Sequence, residues 1–568
     1  MTEIENDNAG VWRTVLSVAE RNPGKEALVY FDDDRAEERV SYEQLVERSR
    51  ALAAGMVAIG VRRGDHVALW MTNRVDWIAS HLASMSIGAV LVPVSTWLKD
   101  REVAYVLRQS RSRHLLMLTG FRKLDFPAML ERIEPACLSA SPGRICGAEL
   151  PELRTVTVFR RPGEPAERVP AYAYDAEQLK QEGAAPELMR AIEDEASGDD
   201  LAVIKYTSGS TSFPKGVMLE QSGLVRNAQL HTQRLGLTEQ ERWFSAKPLF
   251  HASGSIWGLL SMLTLGGTLV FTETFEAELS LELIERERCT VNFAGTTMLR
   301  DELNSPSLPE RDLSTVRVVE VLDRTLMEGA MHEMDAELCF MPYGATEAYG
   351  VAAIPGPEDP LERRIETCGR FFDGMEHRVI DPKSGDALPP GAVGELLLRG
   401  LIMRGYFDKP LETAQAIDPD GWLHTGDLAR VDADGYVEFV GRVKAMIKVG
   451  GENVAVEEVE DCVRACPGVR DCAVVGIPDE RKTQLGRAYV LPYAPGSADE
   501  ATLHAWCSER LAFYKVPAQF VFVEDLARTG TGKVDRGALE QQVAKEFDEA
   551  GALGAGTSKD GRTNGTVA

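Results

Sequence analysis

The run Tyr206-Thr-Ser-Gly-Ser-Thr-Ser-Phe-Pro-Lys-Gly216 concentrates hydroxyls, glycines and one lysine directly after the apolar run Leu201 to Ile204. The apolar run reads as a buried strand, and the segment after it is too polar for a core. Backbone N–H groups laid open by Gly209 and Gly216, the hydroxyls of Thr207, Ser208, Ser210 and Thr211, and the charge of Lys215 describe a cradle for an anion, with phosphate the natural guest. A solvated Ser/Gly loop is the competing reading of the same composition. The Gly-x-x-x-x-Gly-Lys-Ser/Thr pattern of the P-loop cannot be laid on this segment.

Five more segments carry residues able to do chemistry. Tyr343-Gly-Ala-Thr-Glu347 follows the apolar run Leu338 to Met341 and so sits at the carboxyl end of a strand, where open α/β sheets bind ligands. Glu347 there holds a divalent cation or caps the next helix. Pro248-Leu-Phe-His-Ala-Ser-Gly254 places His251 in a small-residue turn, where a lone histidine is more often structural than functional. Thr425-Gly-Asp427 and Gly441-Arg442-Val-Lys444 flank a hairpin whose Asp432-Ala-Asp-Gly435 turn is a strong signal. A carboxylate and a guanidinium at neighbouring hairpin ends either share a ribose through its two hydroxyls or form a surface ion pair. Last, Arg528-Thr-Gly-Thr-Gly-Lys533 is a Gly/Thr loop presenting a cation. Cys462 and Cys466 stand one helical turn apart with no second His or Cys pair nearby, which favours helix-face thiols over metal ligands.

The elements that position these groups can be read in order. Ser41 and Gln44 form a capping box before Leu45, Leu52, Met56 and Ile59, which recur at helical spacing until Gly60. A strand from His66 to Met71, a helix from about Arg74 to Ile87 ending at Gly88, and a strand from Ala89 to Val94 predict a right-handed parallel crossover. The Pro-, Gly- and charge-rich stretch Pro142 to Asp200 reads as a peripheral excursion. Ile256 to Phe271 is broken by Gly258, Ser261, Thr264, Gly266, Gly267 and Thr268 and falls short of the roughly 20 residues that span a bilayer; it reads as a buried helix followed by a strand. From Arg370 the texture changes to short strands and tight turns, a small β-barrel-like subdomain over about 370–443. Beyond Lys444, helix Val456 to Cys466, strands Val469 to Gly476 and Arg487 to Tyr493, helix Ala498 to Ala512 and strand Gln519 to Val523 make a compact α+β unit. The fold class is therefore α/β, with a large N-terminal domain of parallel sheets over 1–443, a smaller domain over 444–545, and a Gly/Ser/Thr-rich tail over 546–568 without structure.

Composition bounds the partners. The chain has 568 residues, 44% of them hydrophobic, enough for two or more domains. A formal charge of −26 argues against nucleic acid or an anionic membrane surface as the main partner. Nine cysteines without regular spacing and an acidic start lacking a secretory leader point to the reducing cytoplasm. No integral membrane segment is expected, and the sequence is silent on oligomeric state.

Taken together the motifs resemble the adenylate-forming superfamily of acyl-CoA synthetases, peptide-synthetase adenylation domains and beetle luciferases. The resemblance runs from about Val40 to Leu539 and rests on ordered segments: the 206–216 cradle, Tyr343 to Glu347, Gly394-Glu395 with Gly405-Tyr406, Gly421-Trp-Leu-His-Thr-Gly-Asp427, Gly441-Arg442 with Gly450-Gly451, and Gly532-Lys533. It implies ATP, Mg²⁺ and coenzyme A as co-reactants. In that family a carboxylate attacks the α-phosphate of ATP to give acyl-AMP and pyrophosphate, and a thiol then displaces AMP. Carried over, the cradle hydroxyls Thr207, Ser208, Ser210 and Thr211, with Gly209 and Lys215, steady the phosphates. Tyr343 and Gly344 lie against adenine, Thr346 touches the α-phosphate, and Glu347, with Thr207, holds the metal. Asp427 and Arg442 take the ribose, and Lys533 bridges the carboxylate and the α-phosphate.

The resemblance makes Lys444 a hinge that exchanges the Lys533 loop for the loop of Lys448, Gly450 and Gly451, past which the pantetheine arm travels. His251, Ser253 and Gly254 line or gate the acyl pocket. One stretch departs: Val319-Glu-Val-Leu-Asp-Arg324 stands where the family has a Gly-Gly-Ala-Pro type turn, so Asp323 and Arg324 either set substrate specificity or mark a compromised half-reaction. The leading expectation is an ATP-dependent acyl-CoA ligase for a hydrophobic carboxylic acid. Delivery of the acyl group to a carrier protein or partner enzyme is the close alternative, and a non-catalytic nucleotide-binding homologue is the alternative of another class.

Overall fold

A computed structural model describes residues 9–207, 214–321, 324–443, 446–449, 452–479, 483–511, 514–529 and 533–555. The chain divides into two compact units, Met1–Phe439 and Val440–Ala568.

Two sheets organise the first unit. The eight-stranded sheet runs, in spatial order, Gly405–Tyr406, Lys215–Glu220, Leu201–Thr207, Val90–Pro93, His66–Trp70, His114–Leu118, Thr155–Phe159 and Tyr174–Asp175. Its first two junctions are antiparallel and the others parallel. The predicted crossover is there: His66–Trp70 and Val90–Pro93 pair in parallel, joined by helix Val75–Ile87. That helix ends at Gly88 with φ +74°, a left-handed cap that suits a residue without Cβ. Helix Tyr42–Ala58 opens on the complete Ser41/Gln44 capping box. The excursion expected over 142–200 is a correction. Thr155–Phe159, a β-branched run buried at every position, extends the sheet beside His114–Leu118; flanking Pro and Gly hide a strand that is only five residues long.

The seven-stranded sheet runs Leu338–Phe340, Val318–Glu320, Val291–Asn292, Arg242–Ser245, Thr268–Thr272, Glu26–Phe31 and Glu37–Ser41, parallel except at the last junction. Side chains alternate across it. Trp243, Phe293 and Phe340 face the larger core, whereas Phe244 and Val319 face a second one. The apolar stretch after His251 is a helix followed by strand Thr268–Thr272, as expected, but its first part, Ser253–Leu260, is wound as a π-helix, a widened turn common at functional sites. A four-stranded sheet of Glu376–Ile380, Val393–Arg399, Leu423–Val431 and Val437–Arg442 forms the β-rich part, with Gly435 at φ +85° closing the Asp432 hairpin turn.

In the second unit, Glu452–Ala455, Met446–Val449, Thr483–Pro492 and Val469–Asp479 pair in that order, and Gln519–Phe522 adds in parallel to Thr483–Pro492. Helix Val456–Arg464 packs Val459 and Val463 into a core with Leu503 and Cys507. Cys462 shares a thiol hydrogen bond with Cys507, and Cys466 is buried in the same core, so these thiols serve packing. No group of His, Cys, Asp and Glu able to hold a metal occurs among the described residues. Helix Arg536–Ala555 runs on into the segment expected to be a structureless tail, its Ala, Glu, Gln and Lys content favouring continuation; 556–568 lie outside the described residues. Among the described residues no helix is long and apolar enough to cross a membrane.

Candidate functional site

Four neighbouring parallel strands, Arg242–Ser245, Val291–Asn292, Val318–Glu320 and Leu338–Phe340, end on the same side of their sheet. The segments leaving those carboxyl ends carry most of the candidates: Lys247 to Gly254, Phe293 to Gly295, Glu320, and Tyr343 to Glu347.

Tyr343 is buried, and its hydroxyl donates to Asp427 Oδ2 at 2.8 Å. Its backbone is clamped by Ala353, the two residues exchanging bonds of 2.8 and 3.0 Å, and its ring stacks on Phe439 at 6.3 Å between centroids. Asp427 is fixed from its own strand: its N–H donates to Thr425 Oγ1, whose hydroxyl donates to the Leu396 carbonyl. Gly344 has no room for a side chain, since a Cβ there would stand 1.8 Å from the Gly350 carbonyl oxygen.

Thr346 and Glu347 occupy a single 3-10 turn, Thr346–Ala348, and both are half-buried. The Glu347 carboxylate accepts from the Tyr406 hydroxyl at 2.9 Å and its carbonyl accepts from Met403 N–H at 2.7 Å. Lys215 lies over the same Tyr406 ring, its ammonium 4.4 Å from the centroid. The register explains this: Thr207 faces Lys215 across the cradle hairpin, and Gly405–Tyr406 pairs with the outer hairpin strand through Val217 and Met218. Gly216 must be glycine, because a Cβ would come 2.6 Å from Ile204 Cγ2. Lysine, tyrosine and glutamate thus form one line from the hairpin to the Tyr343 segment. Thr207 is half-buried at the strand end; Ser208, Gly209, Ser210 and Thr211 lie outside the described residues.

His251 Nδ1 lies 2.9 Å from Ser253 Oγ, and the Ser253 N–H donates to the same nitrogen. The His251 carbonyl accepts from both Ser255 N–H and Ser255 hydroxyl. Gly254 is pressed on the turn, where a Cβ would meet the Pro248 carbonyl at 2.3 Å. Asp323 lies outside the described residues; Arg324 is exposed and donates to the Glu366 carbonyl, directed to the end of helix Leu361–Glu366 instead of a buried pocket.

In the second unit, Arg442 is exposed at the end of Val437–Arg442, Lys448 belongs to strand Met446–Val449, and Lys533 is exposed. Lys533 closes a loop in which Thr529 N–H donates to its carbonyl at 2.7 Å and Arg528 bridges Val534. Lys444, Gly450 and Gly451 lie outside the described residues.

A family model for the AMP-binding enzyme matches residues 16–407, and one for the AMP-binding enzyme C-terminal domain matches 458–533. The chain belongs to the AMP-binding enzyme family. A putative acyl-CoA synthetase, YngI, of Bacillus subtilis is 31% identical over 96% of this chain and 99% of its own. The mitochondrial medium-chain acyl-CoA ligase ACSF2 of Danio rerio is 31% identical over 94% of this chain and 88% of its own. Among solved structures, the anthranilate CoA ligase AuaEII in complex with anthranoyl-AMP superposes with a TM-score of 0.82 at 25% identity, over 96% of this chain and 99% of its own. The o-succinylbenzoate CoA synthetase MenE of Bacillus subtilis, with its acyl-adenylate intermediate, gives 0.76 at 27% identity over 94% of this chain and 98% of its own. The adenylate-forming fold and the acyl-CoA/adenylate-forming ligase class follow from these matches.

Two buried lysines of this AMP-binding enzyme carry no motif in the sequence. Lys205, inside strand Leu201–Thr207, donates to the Phe250 carbonyl at 3.0 Å, tying the cradle strand to the His251 turn; burial pushes its ammonium down to about 7. Lys247 is paired with Glu320, which is fully buried. Burial raises the Glu320 carboxyl, to about 7, against the pull of the lysine, and lowers Lys247 against the pull of the glutamate. The available signal is a charged residue directly after each buried apolar run, Ala202 to Ile204 and Val318 to Val319.

Proposed function

We propose that this enzyme activates a hydrophobic carboxylic acid with ATP and transfers the acyl group to coenzyme A. The carboxylate oxygen attacks the α-phosphorus, a P–O bond to pyrophosphate breaks, and a mixed anhydride with AMP forms; the thiol sulfur then attacks the carbonyl carbon and AMP leaves. The observation that carries this reading is the line Lys215–Tyr406–Glu347 beside the buried Tyr343–Asp427 bond. These contacts bring together a cation, a carboxylate and a buried aromatic ring, and group transfer of this kind needs positioning and charge stabilisation above covalent help.

In this reading Lys215 and the hydroxyls of the cradle hold the β- and γ-phosphates, Tyr343 and Gly344 receive adenine, Thr346 meets the α-phosphate, and Asp427 with Arg442 takes the ribose hydroxyls. The half-buried Glu347 carboxylate, already oriented by Tyr406, suits a hard cation such as Mg²⁺, which neutralises phosphate charge when bound, with the Thr207 hydroxyl proposed as a second oxygen ligand. Lys533 neutralises the charge that builds between carboxylate and α-phosphate. Lys444 serves as the hinge that exchanges the Lys533 loop for the Lys448, Gly450 and Gly451 loop, and His251, Ser253 and Gly254 bound the acyl group. Coenzyme A as acceptor is supported by the names of the relatives, and the nine free cysteines, most of them buried, suit a reducing cytoplasm.

The test is acid-dependent pyrophosphate release from ATP, followed by thioester formation with coenzyme A or with a carrier protein. Thioester with coenzyme A supports the reading. Pyrophosphate release with thioester only on the carrier protein moves the acceptor, and no ATP–pyrophosphate exchange across a broad acid panel makes the chain a nucleotide-binding homologue.

A further inference from the structure

The pair Lys247–Glu320 lies against the His251 to Gly254 turn that the proposed reaction assigns to the acyl group, and the inference drawn from it rests on that reading. Lys247 directly precedes the Pro248–Gly254 turn; a Cβ on Gly254 would approach its carbonyl at 3.0 Å, and a Cβ on Gly295 would meet its Cε at 4.0 Å. The side chain therefore runs from beneath Gly254 to beside Gly295. Its ammonium rests on the face of Phe293, 3.5 Å from the centroid, and 5.7 Å from that of Trp257. Glu320 comes up beside it from the end of Val318–Glu320, on the sheet face shared by Phe293 and Phe340, inside the stretch that departs from the family pattern.

The pair is not complete. Glu320 Oε2 takes the lysine, but Oε1 is buried and receives no hydrogen bond among the described residues. Glu320 is 0% exposed. An acceptor that no protein donor reaches, beside a paired ammonium, is a group that a donor from outside would satisfy, and the charge of the pair is already balanced, so a second anion on the ligand has nothing to neutralise. Two aromatic rings, Phe293 and Trp257, stand against the ammonium.

We infer that Lys247 and Glu320 set substrate selectivity, with Glu320 Oε1 accepting a hydrogen bond from a hydroxyl or amino group carried on the acyl body of a ring-bearing or short-chain acid. A site built to bond such a group rejects the analogue lacking it far more strongly than an apolar pocket rejects a change of one methylene. The acid of choice is then a hydroxy or amino acid derivative of the aryl type, and plain fatty acids are poor substrates.

The experiment compares matched acids on the full chain: benzoate against the hydroxybenzoates and aminobenzoates, and hexanoate against its terminal hydroxy acid. Pyrophosphate release gives kcat/KM, and calorimetry gives acid binding independently of turnover. The wild type is expected to prefer at least one hydroxy or amino acid over its unsubstituted partner by at least about tenfold. The double variant Lys247→Met/Glu320→Leu is expected to lose or reverse that ratio, and Glu320→Gln, which keeps the shape and an acceptor oxygen, to retain part of it. Equal ratios for matched acids in the wild type mean that a water serves Oε1 and overturn the inference, whether or not the double variant folds. Absence of pyrophosphate release with every acid counts against the proposed function instead, and the calorimetric preference still decides the inference.

Discussion

The candidate site has two sides built on opposite principles. On the side of Tyr343, Glu347 and Asp427, polar groups sit on the segment after strand Leu338–Phe340 and on strand Leu423–Val431, and each side chain is aimed by a neighbour: Asp427 by Tyr343, Glu347 by Tyr406. On the side of Lys247 and Glu320, the charges are buried in an aromatic wall and lean on each other. Trp257 stands between them: its indole nitrogen is so close to Gly350 that a Cβ there would lie 2.0 Å away, while its ring faces the Lys247 ammonium. Turns that present oriented dipoles suit a ligand that is the same in every turnover, and a buried pair suits a choice between ligands, because leaving it unpaired costs more than any surface contact returns.

The largest effect tests whether the first side works alone. Lys533→Ala is expected to lower acid-dependent pyrophosphate release by about 10²–10³ while leaving conversion of supplied acyl-adenylate to thioester near wild type; equal loss in both assays would mean that no lysine is lent from the second unit for one step only. The second side is broken next, by removing one charge. Lys247→Met or Glu320→Leu alone leaves its partner buried and unpaired, which typically costs about 3–5 kcal/mol of stability, whereas the double variant is near neutral. Chemical denaturation of the three variants checks this, and additive losses would show that the two side chains do not act as a pair.

How much of this is legible in the sequence divides along the same line. The Tyr343, Glu347 and Asp427 positions are picked out by the ordered motifs of the family resemblance, since the residues alone leave a helix cap and a surface ion pair open, and the capping box at Ser41 and the hairpin turn at Asp432 are local chemistry. Lys247 and Glu320 are 73 residues apart and meet only because Arg242–Ser245 and Val318–Glu320 flank the same short strand, a register that no local pattern encodes. Strand Thr155–Phe159 is hidden for a similar reason: five residues among prolines and glycines become a strand only when His114–Leu118 offers an edge. The stretch Val319 to Arg324 stands out in the sequence, but for Asp323 and Arg324; Arg324 reaches the Glu366 carbonyl, and the buried charge is Glu320.

Titration distinguishes the two buried groups Lys205 and Glu320 by sign. Lys205 is held below its ordinary value of 10.5, at about 7, so between those values the unfolded chain binds more protons and stability rises with pH. Glu320 is held above its ordinary 4.5, at about 7, so over that window the folded chain binds more protons and stability falls as pH rises. Each slope is at most about 1.4 kcal/mol per pH unit. Subtracting the denaturation curves of Lys205→Met from those of the wild type should leave a rise above neutrality, and Glu320→Gln a fall below it; two slopes of the same sign would contradict the assignment.

The smallest change asks how much of the first side is alignment. Tyr343→Phe keeps the ring over Phe439 and removes only the O–H that donates to Asp427 Oδ2 at 2.8 Å. Asp427 keeps its backbone anchor through Thr425, so the carboxylate stays near its strand but loses one donor that helps to orient it. A hydrogen bond to a charged group is worth about 1.5–3 kcal/mol, part of which solvent or a ribose hydroxyl restores once nucleotide enters. The expected result is therefore a rise of about tenfold in KM for ATP with kcat little changed, since under the proposed function the lost bond orients a ribose-binding group and touches no reacting atom. A fall in kcat at unchanged KM would instead place Tyr343 in the transition state and dissolve the distinction between a side that holds and a side that selects.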